Sequence, residues 1–124
     1  MQTLVAVDTV HTAASACDYL AARCSPDESI HAVAVDDGSP DAATDGREAL
    51  NVLRVRLPEH GPTTELRTGD PVEELLAACE EHAVDQLVVG RHAGRPGASG
   101  LGSTARELVE RAPRHVVVLA GVSP

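Results

Sequence analysis

The segment TTELRTGDPVEELLAACEEHAVDQLVVG, residues 63–90, contains the unit that decides the predicted fold. It starts with a short and mostly polar stretch at 63–68, which is typical of a strand at the edge of a sheet. An amphipathic helix is predicted from Asp70 to about residue 82, and an apolar strand is predicted at 86–89. A strand, a helix and a second strand in this order indicate two parallel strands joined by a crossover helix.

The start of this helix carries a strong local signal. Asp70 is the expected N-cap, and Pro71 fits the first turn because that position has no hydrogen-bonded N–H to lose. Glu73 lies three residues after Asp70, which predicts a capping box. The strand therefore ends and the helix begins around Gly69 and Asp70.

The same alternation of strands and helices continues on both sides of this unit. Apolar runs rich in valine predict three further strands, and apolar residues at helical spacing predict three further helices. The predicted strands are 3–7, 30–35 and 115–120, and the predicted helices are 12–24, 43–57 and 103–112. The order βαβαβαβαβ predicts an α/β fold, a single domain over 1–124 with a doubly wound five-stranded parallel sheet and helices on both faces.

The 124 residues are enough for one ordinary domain with a real hydrophobic core. Hydrophobic residues make up 43% and charged residues 23%, which is typical of a globular protein. No apolar run reaches the roughly 20 residues of a membrane span, and the first residues lack the pattern of a signal peptide. We therefore expect a cytoplasmic protein.

Ten basic and 19 acidic residues give a net charge of −9. This excess of negative charge argues against nucleic acids and anionic membrane surfaces as partners, because both attract cationic patches. All ten basic residues are arginine, and Tyr19 is the only aromatic residue. An acidic surface without lysine favours a halophilic protein that stays soluble in concentrated salt. A GC-rich genome, which replaces lysine by arginine, would give the same composition.

The three cysteines are Cys17, Cys24 and Cys79, an odd number that does not make a disulfide framework. Each falls on the apolar stripe of a predicted helix, where cysteine acts as a small hydrophobic residue. No cysteine has a second cysteine or a histidine at the spacing of a metal site. We expect all three to be buried structural residues.

The segment from Gly90 to Thr104, GRHAGRPGASGLGST, is the candidate ligand-binding loop. It leads into the N-terminus of the last helix, where free N–H groups and the helix dipole favour an anion. Its glycines allow a backbone to approach a ligand closely, so the segment predicts a phosphate site. An exposed loop before an ordinary helix, capped by Ser103 or Thr104 with Glu107 completing a capping box, fits the same residues. The pattern is neither a Walker P-loop nor a Rossmann fingerprint, because the chain lacks lysine and the glycines follow the fourth strand.

Several segments in a fixed order resemble the universal stress protein family. They are VAVD at 5–8, GDP at 69–71, DQLVVG at 85–90, GSTARELVERAP at 102–113 and VVV at 116–118. The resemblance covers the chain from end to end. It implies an α/β fold of the adenine nucleotide alpha hydrolase-like type and a role in the stress response.

Nucleotide-binding members of this family bind ATP through a G-x2-G-x9-G-[ST] motif. The resemblance implies that Asp8 faces the ribose and that the Val35 backbone meets the adenine, while the glycines and hydroxyl residues of the loop line the phosphates. The nucleotide-binding residues predicted in this way are Asp8, Val35, Gly90, Gly94, Gly102, Ser103 and Thr104.

The loop departs from this motif in two ways. The third residue after Gly90 is Ala93 rather than glycine, and Gly94 comes one place later. Gly90 and Gly102 are also 12 positions apart, where the motif has 13. Two interpretations stay open: a regulatory domain that binds ATP, with Mg²⁺ beside the phosphates, and a nucleotide-free interaction protein of the same fold.

No arrangement of nucleophile, base and acid indicates an enzyme. The six histidines show no metal-ligand spacing and are expected at the surface. Asp8, Asp36 and Asp37 fit an Mg²⁺ site beside phosphates, but the favoured interpretation of Asp36 and Asp37 is that they are solvated loop charges. We therefore predict no catalytic residues and no metal site made by the protein alone.

The expected partner is a second copy of the chain. The last strand, with Val116, Val117 and Val118, is short and apolar and is expected at a sheet edge, where it invites pairing with another strand. Members of the resembled family often dimerise through this strand. We expect a homodimer in which the strand pairs with its own copy across a two-fold axis.

Overall fold

The computed structural model describes residues 1–91 and 101–119 of the chain. Strands and helices alternate as the sequence predicts, with one additional short 3-10 helix at Pro58–His60. The strands are β1 (Gln2–Ala6), β2 (Ser29–Asp36), β3 (Thr63–Thr68), β4 (Gln86–Val89) and β5 (His115–Val118). The helices are α1 (Val10–Arg23), α2 (Ala42–Arg56), α3 (Pro71–Glu81) and α4 (Ser103–Arg111).

The five strands form one parallel sheet in the order β3-β2-β1-β4-β5. The chain runs outward from β1 through β2 to β3, then crosses to β4 on the other side of β1 and continues to β5. This order confirms the predicted doubly wound sheet, with the polar strand β3 at one edge. The strand order reverses between β1 and β4, and ligands of such sheets bind beyond the carboxyl ends of the strands at this point.

The sheet separates two apolar cores. Helices α1 and α2 cover one face, with Leu20 and Leu53 fully buried, and α3 and α4 cover the other, with Leu87 and Leu108 fully buried. The three cysteines lie in these cores as predicted, and burial raises the pKa of each thiol. The core is therefore built mainly from leucine, valine and alanine rather than from aromatic residues.

Gly46 determines how closely α2 approaches the sheet. A Cβ atom at this position would lie 3.1 Å from the Cβ of Ala34 and 3.2 Å from a methyl group of Leu66. These distances are shorter than ordinary van der Waals contacts, so a larger residue would push the helix away. The glycine costs helix propensity, but it allows the first turns of α2 to lie against β2 and β3.

The start of α3 was predicted correctly, with one exception. Asp70 is the N-cap, its carboxylate accepts a hydrogen bond from the Glu73 N–H at 3.0 Å, and Pro71 is in the first turn. The Glu73 side chain does not complete a capping box. It pairs instead with Arg111 of α4 at 2.7 Å, because the end of α4 packs beside the start of α3.

The N-cap of α4 was predicted wrongly as Ser103 or Thr104. The N-cap is Gly102, so Ser103 is the first helical residue and no side chain caps the helix. Gly102 has extended backbone angles, and its N–H donates to the carbonyl of Arg91 at 2.8 Å. This contact across the loop fixes the helix start one residue early, and Glu107 pairs with Arg111 at 3.3 Å rather than with a capping residue.

The expectation that all histidines lie at the surface is also wrong. His31 of β2 and His82 after α3 are half-buried, and their rings stack with centroids 4.4 Å apart. His60 is half-buried too, with Nε2 3.2 Å from the carbonyl oxygen of Cys24. His31 lies on the same side of β2 as Val33, which packs in the core under α3, because alternate residues of a strand share a face. This places His31 against His82 at the end of α3, a contact that no local spacing in the sequence shows.

Candidate functional site

A cleft of about 330 Å³ opens at the switch point, beyond the carboxyl ends of β1, β2 and β4. This volume is at the lower end of the range for small-molecule sites, which is roughly 300–1,000 Å³. The three strand ends, all four helices and the loop after β2 contribute to its walls. The polar residues that line it are Asp8, Thr9, Thr12, Asp37, Ser39, Asp45 and Thr104.

The side of the cleft at the end of β1 is built by Asp8 and two threonines. Thr9 is the N-cap of α1 and forms a capping box with Thr12, their hydroxyl oxygens lying 3.0 Å apart. The Thr12 hydroxyl donates a hydrogen bond to Oδ1 of Asp8. Oδ2 of Asp8 has no partner among the described residues. Asp8 is therefore oriented by α1 and keeps one oxygen as an acceptor for a ligand.

Gly90 follows β4 and lies against the start of α1. A Cβ atom at this position would collide with Cγ2 of Thr12. Any residue larger than glycine would therefore push β4 and α1 apart at the switch point. Gly90 is required by the packing of the cleft wall, whether or not a ligand contacts it.

The first turn of α4 forms the donor end of the cleft. Thr104 and Ala105 line the cleft, and with Ser103 they are the first three residues of the helix. The N–H groups of a first turn have no acceptor within the helix, and here they have none elsewhere in the described part of the chain. This end of the cleft therefore offers backbone donors and a favourable helix dipole to an anion.

The end of the cleft at β2 and α2 is acidic and apolar. Asp37, in the loop after β2, accepts hydrogen bonds from the Ser39 hydroxyl and N–H, and these bonds lower the pKa of Asp37. Asp45 lies in the first turn of α2 and lines the same cleft. Val35 and Leu75 provide the apolar wall beside these carboxylates. The two ends of the cleft thus differ in chemistry, with donors at α4 and acceptors on an apolar wall at β2.

The structure brings four of the predicted site residues together around the cleft: Asp8, Val35, Gly90 and Thr104. Gly102 and Ser103 directly precede Thr104 at the start of α4 but do not line the cleft. The N–H of Gly102 is bound to Arg91 and is not available to a ligand. Gly94 lies outside the described residues.

Sequence reasoning missed Thr12 and Asp45. The pattern of a threonine three residues after Thr9 was a signal for the first, because a threonine at that position can replace the acidic residue of a capping box. Nothing local pointed to Asp45, since its place on the cleft depends on how deep α2 lies against the sheet. Gly46, the next residue, sets that depth.

Within residues 1–91 and 101–119, no three His, Cys, Asp or Glu side chains are grouped so that they could hold a metal ion. None of the helices in this part of the chain is both long and apolar enough to cross a bilayer.

Fold and cleft together define a class: a doubly wound parallel α/β domain with a site of ligand size at its switch point. The family model described as the universal stress protein family matches residues 1–120. The chain belongs to the universal stress protein family, as its motifs implied. No curated protein matches it in sequence.

Solved structures share the fold over nearly the whole chain. A universal stress protein from Archaeoglobus fulgidus in complex with dAMP is 17% identical, with a TM-score of 0.67 over 97% of this chain and 98% of that one. A family protein from Arabidopsis thaliana with AMP bound is 19% identical, with a TM-score of 0.74 over 98% and 92%. A universal stress protein in complex with cAMP is 20% identical, with a TM-score of 0.70 over 98% of both chains. At these identities the likeness shows the fold.

Proposed function

We propose that this domain binds an adenine nucleotide, ATP or a related one, and acts as a regulatory module of the stress response rather than as an enzyme. The observation that carries the proposal is the uncapped start of α4, where the N–H groups of Thr104 and Ala105 are at the cleft. Relatives of the same fold bind dAMP, AMP and cAMP, which supports this class of ligand.

Each part of a nucleotide has a chemical counterpart in the cleft. Phosphate oxygens accept hydrogen bonds, so they belong beside the free N–H groups and the Thr104 hydroxyl at α4. Ribose hydroxyls donate hydrogen bonds, so they belong beside the free Oδ2 of Asp8. The base then lies against the apolar wall that Val35 and Leu75 form.

Mg²⁺ belongs to this proposal only as a companion of the phosphates. The described residues form no cluster that could hold the ion by themselves. Mg²⁺ usually keeps several waters and combines one or two carboxylates with phosphate oxygens. Asp8, at the end of β1, is the carboxylate lining the cleft that would serve in this way, because Asp37 lies at the end of the cleft opposite α4.

Titration calorimetry with ATP and Mg²⁺ tests the proposal on a matched pair of variants. Thr104→Val removes a hydroxyl that lines the cleft while keeping the size of the side chain, and we expect affinity to fall roughly threefold to tenfold. Ser103→Ala removes a neighbouring hydroxyl that does not line the cleft, and we expect affinity to stay unchanged. A loss for Ser103→Ala alone would put the phosphates elsewhere.

The second candidate function is a nucleotide-free interaction protein that works as a homodimer. The 12-position spacing from Gly90 to Gly102 and Ala93 in place of a glycine favour it, because both depart from the family's nucleotide motif. Mass spectrometry of the ligand released by denaturing the purified protein separates the two candidates. An adenine nucleotide in the released fraction supports the first, while its absence together with no heat of ATP binding supports the second.

A further inference from the structure

We infer that Asp45 recognises the amino group of the adenine base and so selects which nucleobase the cleft accepts. This inference rests on the nucleotide site proposed above and names the residue that gives the site its base specificity. Asp45 lines the cleft from the first turn of α2, on the side away from the start of α4.

The chemistry of the cleft decides which end receives the base. Phosphates require the N–H donors at α4, so the base extends toward the opposite end. A flat and largely apolar ring needs an apolar wall with a few polar groups that fix its orientation. Val33, Val35 and Leu75 form such a wall, and Asp45 is a polar group that lines the same cleft from α2.

Asp45 differs from the other two carboxylates that line the cleft. Asp8 accepts a hydrogen bond from the Thr12 hydroxyl, and Asp37 accepts two from Ser39. The half-buried carboxylate of Asp45 accepts no hydrogen bond and forms no ion pair with any residue that the structure describes. Its capacity as an acceptor is therefore available to a ligand.

The position of Asp45 is fixed by the packing of the next residue. Gly46 lies so close to Ala34 and Leu66 that a Cβ there would be 3.1 and 3.2 Å from their side chains. The first turns of α2 are therefore held against the sheet, and the Asp45 backbone is held with them. A recognition group on a rigid element discriminates better than one on a loop.

The acceptor character of Asp45 defines which bases fit. An ionised carboxylate only accepts hydrogen bonds, and the exocyclic amino group of adenine donates two. A purine without this group offers no donor and would leave the carboxylate partly desolvated without a partner, which is unfavourable. The cleft should therefore prefer an aminopurine over a purine that lacks the amino group.

Calorimetric titrations with AMP and with purine riboside 5′-monophosphate test the inference, because the two ligands differ only in the amino group. We expect the native protein to bind AMP roughly tenfold more tightly. Asp45→Ala should bring the ratio of the two affinities close to one. Asp45→Asn keeps a carbonyl acceptor and should retain part of the preference. The ratio also cancels any general weakening of α2, because both ligands meet the same variant.

Asp37→Asn is the matched control, since it removes one negative charge from the same cleft and keeps an acceptor for Ser39. We expect its ratio of affinities to equal that of the native protein. An equal fall in Asp37→Asn and Asp45→Ala, or a native protein that binds both ligands equally, would overturn the role of Asp45 and leave nucleotide binding intact. A native protein that binds neither ligand would overturn the proposed function, and this inference with it.

Discussion

The two edge strands of the described sheet differ in chemistry. Strand β3 carries Glu65 and Arg67, which pair with each other, and Arg67 also pairs with Glu74 and Glu81 of α3. Strand β5 carries only valines at Val116, Val117 and Val118 after its first residue. Charged side chains on an edge strand discourage pairing with another chain, and a short apolar strand invites it. The two edges therefore differ in role. Strand β3 ends the sheet, and we propose that β5 pairs with a second copy of the chain.

The charged edge is held by one arginine. Arg67 has 15% of its side chain exposed, and it pairs with Glu65 at 3.1 Å, Glu74 at 3.0 Å and Glu81 at 2.6 Å. Burial disfavours its charge, but the hydrogen bonds to Glu74 and Glu81 outweigh this effect and raise the pKa of Arg67. These contacts join β3 to α3 along the length of the helix.

The backbone N–H groups of β5, the apolar edge strand, point alternately toward β4 and away from it. The N–H of Leu119 donates to the carbonyl of Val89 in β4 at 2.8 Å. Alternate residues of a parallel strand direct their N–H groups to the same side. The N–H of Val117 therefore points to β4, and those of Val116 and Val118 point away from the described sheet, where a second copy would pair.

Proline substitutions in β5 give the largest expected effect and test the proposed dimer. Val117→Pro removes an N–H that β4 uses and adds a clash, so we expect a loss of about 3 kcal/mol or more in the free energy of unfolding. Val118→Pro removes an outward N–H, so we expect a folded monomer. Size-exclusion chromatography with light scattering measures the mass, and circular dichroism reports the fold. A folded Val118→Pro variant with the mass of a dimer would place the interface elsewhere.

Arg67→Met tests whether the charged edge depends on its central cation. The substitution leaves three carboxylates close together without their shared cation, and we expect the free energy of unfolding in urea to fall by about 2 kcal/mol. Arg56→Met is the control, because Arg56 forms one ion pair among the described residues, with the exposed Asp18 at 2.8 Å. An ion pair between two exposed side chains contributes little to stability, so we expect a much smaller loss for Arg56→Met. Equal losses in both variants would show that the β3 cluster is no stronger than a surface pair.

Salt should weaken the ion pairs of the charged edge, but it should stabilise the molecule as a whole. At about 1 M KCl the screening length falls to roughly 3 Å, so the loss caused by Arg67→Met should become smaller. The net charge of −9 repels itself in dilute buffer, and screening should raise the melting temperature of the native protein steeply. A melting temperature that does not change with KCl would contradict the halophilic interpretation of the composition.

The smallest expected effect is a dependence of the free energy of unfolding on pH, caused by His31 next to β3. Burial first, and then the charge of His82, lower the pKa of His31, while Glu65 raises it. Glu65 Oε1 is buried, lies 3.5 Å from Nε2 of His82 and accepts no hydrogen bond from the described residues. The same pocket under α3 contains the Arg67 guanidinium with its partners Glu74 and Glu81.

A histidine whose pKa is lowered by folding binds fewer protons in the folded state than in the unfolded one. Its contribution to stability is therefore complete above the ordinary histidine pKa of about 6.5, and it decreases as the pH falls through that value. We expect His31→Gln to lose less stability between pH 7.5 and 5.5 than the native protein does, as measured by urea unfolding. His115→Gln, at an exposed histidine, should follow the native curve. Identical slopes in all three proteins would contradict a role for His31.

The elements that sequence reasoning placed correctly are those with local causes. Asp70 and Pro71 begin α3 through contacts within one turn, so their pattern was sufficient. The N-cap of α4 was missed because Gly102, rather than Ser103 or Thr104, takes that position, where its N–H is bound to the carbonyl of Arg91. A local sequence pattern cannot predict this hydrogen bond, because Arg91 and Gly102 are far apart in the chain.

The same division holds for the cleft. Asp8, Val35 and Gly90 follow or end neighbouring parallel strands, and strand ends of a parallel sheet meet at one edge, so alternation of elements was enough to bring them together. Asp45 was missed because it reaches the cleft only if α2 lies close enough to the sheet and is rotated so that this residue faces the cleft. The stacked pair His31 and His82 was missed because strand register and helix packing together create it.

The hydrogen bond between the Gly102 N–H and the Arg91 carbonyl joins the two ends of the stretch between these residues. The stretch can therefore be replaced as a unit. The two residues that anchor it are bonded to each other, so the distance between β4 and α4 does not depend on how many residues connect them. Adding or removing one residue changes the entropy of closing such a loop by only a small amount. Gaining or losing a position here should therefore leave the domain folded. This makes the junction a natural place to graft the corresponding segment of a relative.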